Sequence, residues 1–160
     1  MIINVRNPEL AAALASRLPT NIPAESDVVV TDRVEVAAMA SDPVAFIPSG
    51  LPAVLKALCD LDVAGILRAE EIGVGHLVSI ASGSRVYSLF RPSDLGAREL
   101  EWRIVALAAN GVSPEEASEL IGYSGRQIRR RLAELKEAAH LTHECRWTRL
   151  APLFPKLSEL

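Results

Sequence analysis

The chain has no stretch approaching the roughly 18 consecutive apolar residues that a membrane-spanning helix needs, which excludes a span on length alone. Residues 1–20 carry Arg6, Asn7, Pro8 and Glu9 where a secretory leader would need an apolar core, so a soluble, cytoplasmic protein is expected. Aromatic residues make up only 4% against 49% hydrophobic, which leaves an aliphatic core and excludes a disordered or fibrous chain. The two cysteines, Cys59 and Cys145, stand far apart in dissimilar contexts; they offer no disulfide framework or paired metal motif, and fit a reducing compartment. A glycine-rich phosphate loop is missing too, because IGVGHL at residues 72–77 lacks a strand–turn–helix setting and its glycines instead begin a helix. No nucleophile has a base beside it and no carboxylates pair, so no enzymatic activity is expected. His140, His143 and Cys145 do not share one helical face and lack a fourth ligand, so neither a metal nor a cofactor is expected.

What is present is a concentration of arginine. Net charge is −3 for 160 residues, which evenly spread would argue against nucleic acid. The charge is not evenly spread. Between Ser124 and Arg149 lie Arg126, Arg129, Arg130, Arg131, Lys136, Arg146 and Arg149, against Glu134, Glu137 and Glu144. Such a local positive field is what phosphate contacts require.

The stretch SGRQIRRRLAEL begins with Ser124, an N-cap whose hydroxyl accepts from a free first-turn amide, and Gln127 completes a capping box. Ile128, Leu132 and Leu135 recur at helical spacing on one face, leaving Gly125, Arg126, Arg129, Arg130, Arg131 and Lys136 largely on the others. Guanidinium groups suit phosphates and the guanine edge, and Gln127 beside Arg126 and Arg130 is the expected base reader. The alternative is a solvated basic face.

Upstream, residues 99–123 read as a helix ending at Asn110-Gly111 and then a second, short helix. Ser113 caps that helix, Pro114 occupies its first position, and Glu115 and Glu116 meet the positive end of its dipole. Ala117, Leu120 and Ile121 are expected on its buried side, and Gly122 ends it. The result is a helix–turn–helix arrangement over residues 113–136.

The residues Glu101, Ile104, Val105, Leu107, Ala108, Gly111, Ser113, Glu116, Ala117, Leu120, Ser124, Ile128 and Leu132 resemble the LuxR-type (NarL/FixJ-like) DNA-binding domain over residues 95 to about 150. The family's usual Asn-Lys, Thr-Val and His positions hold Pro114-Glu115, Gln127-Ile128 and Arg131, so an operator sequence does not carry over. The resemblance implies binding to double-stranded DNA as a homodimer. It also implies a fourth, dimerising helix over Thr142–Leu150, ended by Pro152 and Pro155. Trp147 is then a core anchor or a dimer-face residue, and Trp102 is core.

The N-terminal portion alternates strand and helix. Strands are expected at 1–5, 27–32, 43–49 and 64–68, with helices at 9–18, 34–40, 51–61 and 71–82 and a loop at 19–26. That order predicts a parallel sheet of about four strands flanked by helices. It resembles a response-regulator receiver domain shortened by about one strand and helix near residues 19–26. The resemblance places Asp32 at the phosphoacceptor position, Ser49 at the hydroxyl switch and Arg68 at the lysine. Arg6 and Asn7 stand where the family has Mg²⁺-binding carboxylates. A guanidinium repels a hard cation, so a degenerate, phosphorylation-independent receiver is expected, with Asp32 paired to Arg6 or Arg68 or capping the next element.

The expected organisation is therefore an α/β receiver-like domain at 1–90 for dimerisation or sensing, a linker at 91–95, and an all-α helix–turn–helix domain at 96–160. A protein partner or small ligand at the N-terminal domain fits this plan, and a membrane does not. The function expected is transcription regulation. The alternative, from the near-neutral second half with Glu115, Glu116 and Glu119 beside the basic helix, is a protein-interaction module or co-regulator that uses the same fold for docking.

Overall fold

A computed structural model of the chain describes residues 1–24 and 26–160; position 25 of the expected loop at 19–26 lies outside the described residues. Contacts divide the chain into two units, Met1–Ser49 with Leu61–Ser88, and Gly50–Asp60 with Leu89–Leu160. In this division residues 50–60, which lie inside the expected 1–90 domain, group with the C-terminal unit.

The first unit runs β1 (Ile2–Asn4), α1 (Pro8–Arg17), β2 (Val29–Thr31), α2 (Val34–Met39), β3 (Val44–Phe46), β4 (Gly65–Ile66), α4 (Val74–Ala81) and β5 (Val86–Tyr87). Its start is set locally. Asn7 caps α1, its Oδ1 accepting from the amides of Glu9 at 2.9 Å and Leu10 at 3.4 Å, and Pro8 follows at the first position, where no N–H is needed. The expected helix over 71–82 is shorter at its N-terminal end: a 3₁₀ turn at Ala69–Glu71 precedes α4, whose N-cap is Gly73.

All five strands are parallel and lie in the order β1-β2-β3-β4-β5, with Asn4, Thr31, Phe46, Ile66 and Tyr87 in register. The expectation of about four strands thus misses β5, which falls between the last expected helix and the expected linker. Two residues carry no periodicity. They are a strand because Val86 N–H donates to Ala64 and Ser88 N–H to Ile66, both at 2.9 Å.

Alternation along the strands buries both faces of the sheet. Val28, Val30, Ala45, Ile47 and Leu67 form one core with Leu14, Leu18, Leu77 and Ile80. Their neighbours Val29, Thr31, Val44, Phe46 and Ile66, which point the other way, are buried as well. At Gly65 α4 comes close to the sheet, since a Cβ there would stand 2.6 Å from Cδ1 of the fully buried Ile80. Gly65→Val is expected to cost about 1–3 kcal/mol by overpacking. Equilibrium urea unfolding checks this, and an unchanged midpoint would refute the close approach.

The second unit contains α3 (Leu51–Leu55), continued by a π-helical turn at Lys56–Asp60, then α5 (Glu99–Ala109), α6 (Pro114–Ile121) and α7 (Gly125–Ala138). Helix α3 packs on α7, α6 on α7, and α5 on the 3₁₀ run Trp147–Leu153. The stretch expected as a linker is a structured part of this unit: Pro92–Leu95 forms a 3₁₀ turn, Phe90 and Leu95 are buried, and Phe90 N–H donates to Leu153 at 3.0 Å. Trp102 packs its ring 6.1 Å from that of Phe154 and donates Nε1–H to Phe90 O at 3.0 Å.

Three expectations are corrected here. No α-helix forms over 142–150; the segment is irregular until the 3₁₀ run at Trp147–Leu153, which contains Pro152. Proline removes a backbone donor, and the residues before it are already engaged, with Lys136 Nζ donating to Cys145 O at 2.7 Å and standing 5.3 Å from the Trp147 ring centroid. Leu120, expected to be buried, is 62% exposed. The burial of α6 rests instead on Ala117, whose small side chain admits close packing.

The third correction concerns the cysteines. Cys59 and Cys145 form a disulfide across a sequence separation of 86, with Cα atoms 5.8 Å apart. Sequence spacing could not reveal this, because the pairing depends on the π-helical turn folding against the return from α7. Polar contacts reinforce the junction. Lys56 Nζ donates to Asp60 at 2.7 Å and to His140 O at 2.8 Å, and the Thr142 amide donates to Asp60 at 2.8 Å.

Burial by itself would raise the pKa of Asp60. The hydrogen bonds from Lys56 and the Thr142 amide outweigh that burial and hold its carboxyl below the usual aspartate range. A depressed folded-state pKa contributes stability that is complete above the ordinary value of 3.8 and is lost as pH falls below it. Melting temperatures of the wild type and Asp60→Asn are therefore expected to differ most at neutral pH and to converge in acid. A gap independent of pH would refute this role of the ionised carboxylate.

Candidate nucleic-acid interface

Two helices joined by a short turn build the basic surface. Ser113 caps α6, accepting the Glu116 amide at 3.2 Å and donating its hydroxyl to the Glu116 carboxylate at 2.9 Å. Gly122 closes α6 in the left-handed region at φ +75, a conformation that side chains with a Cβ resist. Ser124 then starts α7. Its hydroxyl accepts the Gln127 amide at 3.2 Å, while Gln127 Oε1 accepts the Ser124 backbone N–H at 3.0 Å, which is the expected capping box in both directions. Ile128, Leu132 and Leu135 are buried as their spacing predicted.

The caps change the roles of three predicted contact residues. Ser113 and Ser124 have their hydroxyls engaged in capping, and Gln127 has its carbonyl oxygen engaged, which leaves its amide NH₂ as donor. Gly125, the first residue of α7, lies close to Glu115 and to the Arg129 guanidinium.

The cations divide into two groups. Arg129 pairs with Glu115 of α6, and Arg130 Nε donates to Glu134 at 3.1 Å, one turn on. Arg126 and Arg131 are exposed and, among the described residues, have no ion-pair or hydrogen-bond partner. Lys136 is turned toward Cys145 and Trp147. The predicted cluster is thus brought onto one helix, with Arg126 and Arg131 as its uncompensated charges. Tyr123, Gln127, Arg130, Arg131 and Glu134 line a polar recess of about 310 Å³. Sequence reading missed Tyr123 and the pairing of Glu115 and Glu134 with Arg129 and Arg130. Glu134 was legible as the i+4 partner of Arg130, whereas Glu115 reaches Arg129 only through the crossing of α6 and α7.

The second predicted constellation lies in the first unit, after the ends of the strands. Asp32 accepts the Arg6 backbone N–H at 3.0 Å. The Arg6 guanidinium itself donates to Glu35 at 3.0 Å, and Arg33 Nε donates to the same carboxylate at 3.1 Å. The Glu35 backbone amide and these two guanidiniums hold that carboxyl down to about 2, despite the opposing effect of desolvation. Arg68 pairs with Glu71 rather than Asp32, and Ser88, which accepts the Arg68 amide at 3.0 Å, donates to Glu71 as well. Ser49 is exposed in the turn after β3, and Asn7 is committed to capping α1. Of the five residues, only Arg6 and Asp32 are brought together, and they meet through the backbone.

Strand order bears on this edge. Open α/β sheets bind ligands where the order of strands reverses, because the connections there diverge and leave a crevice. A sheet ordered β1-β2-β3-β4-β5 has no such reversal.

No protein-family model and no curated protein matches the chain. A solved structure that aligns with it is the Salmonella typhimurium RcsB response regulator, described under conformational dynamism for DNA interaction. The identity is 18%, the alignment covers 85% of this chain and 78% of that one, and the TM-score is 0.28. A likeness of that extent carries no functional argument. No helix among the described residues is long and apolar enough to cross a membrane.

Proposed function

We propose that the chain is a DNA-binding transcription regulator of the LuxR (NarL/FixJ-like) type, working in the cytoplasm without phosphorylation of Asp32 and without catalysis. It reads a two-fold-related duplex site as a homodimer through residues 124–136. The observation that carries this reading is the N-terminal half of α7. A capped helix presents Arg126, Gln127, Arg130 and Arg131 outward while Ile128 and Leu132 anchor it from behind. The N-terminal residues of a recognition helix are those that reach base edges, and guanidiniums serve both guanine and phosphate. The absence of a reversal in strand order and the pairing of Arg6 and Arg33 with Glu35 support independence from phosphoryl transfer. The first unit then serves dimerisation, or takes a protein or small ligand.

Selection of bound fragments from genomic DNA, followed by titration of an enriched duplex at two salt concentrations, tests the reading. An inverted repeat bound with steep salt dependence is expected, since each neutralised phosphate releases counterions. No enrichment by folded protein would refute it.

A protein-interaction module remains as a second reading because of a different surface. Leu120, Leu157 and Leu160 are exposed around a groove of about 410 Å³ that Arg103, Leu107 and Ile121 complete. An aliphatic interface of that kind would be nearly insensitive to salt, so the same titration separates the two.

On the DNA reading, Glu115 competes with phosphate for Arg129. Glu115→Gln is expected to tighten duplex binding by about two- to five-fold, the range of one exposed ion pair. Weaker binding would place Glu115 among the groups that support the interface.

A further inference from the structure

The connection between β3 and β4 leaves the first unit as residues 50–60, joins the second, and returns. Its outward end meets the segment that follows α7 at four points, three of them bonded and the last a contact without a hydrogen bond. These are the Cys59–Cys145 disulfide, the Lys56 bond to His140 O, the Asp60 bond to the Thr142 amide, and the approach of His143 Nδ1 to within 3.5 Å of Asp60 Oδ1. Lys136 of α7 is bonded in turn to Cys145 O. A continuous path therefore runs from the π-helical turn, through the disulfide, to the proposed recognition helix.

We propose that the Cys59–Cys145 disulfide is a reversible redox latch, which when oxidised holds residues 50–60 against α7 and when reduced releases them and weakens the nucleic-acid affinity of α7. The regulatory half of this proposal rests on the DNA reading of α7. The covalent fastening of residues 50–60 does not, while the reducing compartment that makes it reversible does.

Two observations and one consequence of the DNA reading carry it. First, the held element has little stability of its own. A five-residue α-helix is far below the length at which a helix persists unaided, and the turn that bears Cys59 is π-helical, a form seen mostly as single turns at functional sites. Second, the latch does not mask the basic face. Arg126 and Arg131 are exposed with the disulfide closed, so the oxidised form is competent to bind. Leu135 and Ala139, at the C-terminal end of α7, are buried, and α3 is among the elements packed on that helix. Third, a regulator that meets DNA in a reducing compartment cannot keep a disulfide as a permanent staple, whereas a reversible one is the form such bonds take there.

The chemistry balances with a dithiol as reductant. A thiolate of the dithiol attacks one sulfur of the pair, the S–S bond breaks and a mixed disulfide forms. The second thiol of the reductant then resolves it, leaving Cys59 and Cys145 as two thiols and the reductant as a disulfide. Two electrons and two protons pass to the protein. Cys59 and Cys145 are 9% and 3% exposed, so attack proceeds through local opening of the 56–60 turn.

Hydrogen exchange of the full chain, oxidised and after dithiothreitol, tests the latch, with circular dichroism confirming that both forms are folded. Reduction is expected to raise exchange in residues 50–60 and 140–147 while residues 27–47 stay protected. Affinity for an enriched duplex should fall at least five-fold and return on reoxidation, and Cys59→Ser/Cys145→Ser should bind like the reduced protein whatever the dithiol concentration. Asp60→Asn, which keeps both sulfurs, should speed reduction. Identical exchange in the two forms overturns the latch. Altered exchange with unaltered affinity overturns its control of α7. A duplex bound in neither form overturns the DNA reading instead, and exchange alone then decides the latch.

Discussion

Replacing Arg126 and Arg131 together by alanine is expected to lower affinity for a specific duplex more than ten-fold and to reduce the slope of log affinity against log salt by about 2, one unit for each lost phosphate contact. The pair is chosen by structure. Sequence alone favours Arg126 and Arg130, beside Gln127, yet Arg130 is held by Glu134 and Arg129 by Glu115. A guanidinium that must first leave a carboxylate contributes its new contact minus the old one. Arg126 and Arg131 have nothing to leave, so the full effect appears when they are removed. Both are exposed, so their removal should leave the melting temperature unchanged, which separates a lost contact from a lost fold. Titration of wild type and double variant over a range of salt checks the prediction. Equal affinities with equal slopes would remove α7 from the interface.

The second large effect concerns stability. Cys59→Ser/Cys145→Ser opens a loop closed across a sequence separation of 86. Long loops release the most chain entropy on opening, and the expected loss is about 2–5 kcal/mol in the unit that the disulfide closes. For a chain of this size that corresponds to a fall in melting temperature of roughly 5–15 °C. The readout is naturally local. Trp102 and Trp147 both belong to the second unit, so tryptophan fluorescence reports its unfolding. The fluorescence transition of the variant should move to lower temperature, and oxidised wild type melted in dithiothreitol should move with it. A transition that does not shift would show that the packing of α3 on α7 holds the segment without the covalent bond.

The two effects fall on one helix from opposite sides. Arg126 and Arg131 act at its N-terminal half, facing solvent. The disulfide acts beyond its C-terminal end, through Lys136 and the return segment. A perturbation of the first should change binding without stability, and a perturbation of the second should change both.

Local signals were read from the sequence with success where a few neighbouring residues decide the outcome. Ser124 and Gln127 make a capping box, Ser113 caps α6, Gly122 adopts the left-handed conformation, and the buried stripe of α7 is Ile128, Leu132 and Leu135. The β-branched run Val28–Val30 is buried within the sheet for the same reason, since alternation and side-chain shape act over a few positions. Legibility ends where the partner is distant. The two-residue strand Val86–Tyr87 exists through its hydrogen bonds to Ala64 and Ile66, and the helix expected over 142–150 gives way to an irregular return committed to Lys136 and Cys59. Leu120 matches a buried helical position by spacing, yet α6 packs on α7 through Ala117 and leaves it exposed.

What the sequence by itself determined, then, is the first four strands, the helices as far as α7 and the basic character of α7, because capping, periodicity and local charge depend on residues within a turn or two of one another. The tertiary structure alone decided which arginines are free, where residues 50–60 belong, that Cys59 meets Cys145, and that the strands run in unbroken order. Each of these depends on contacts between residues tens of positions apart, and their geometry is fixed only when helices cross and the sheet closes around its core.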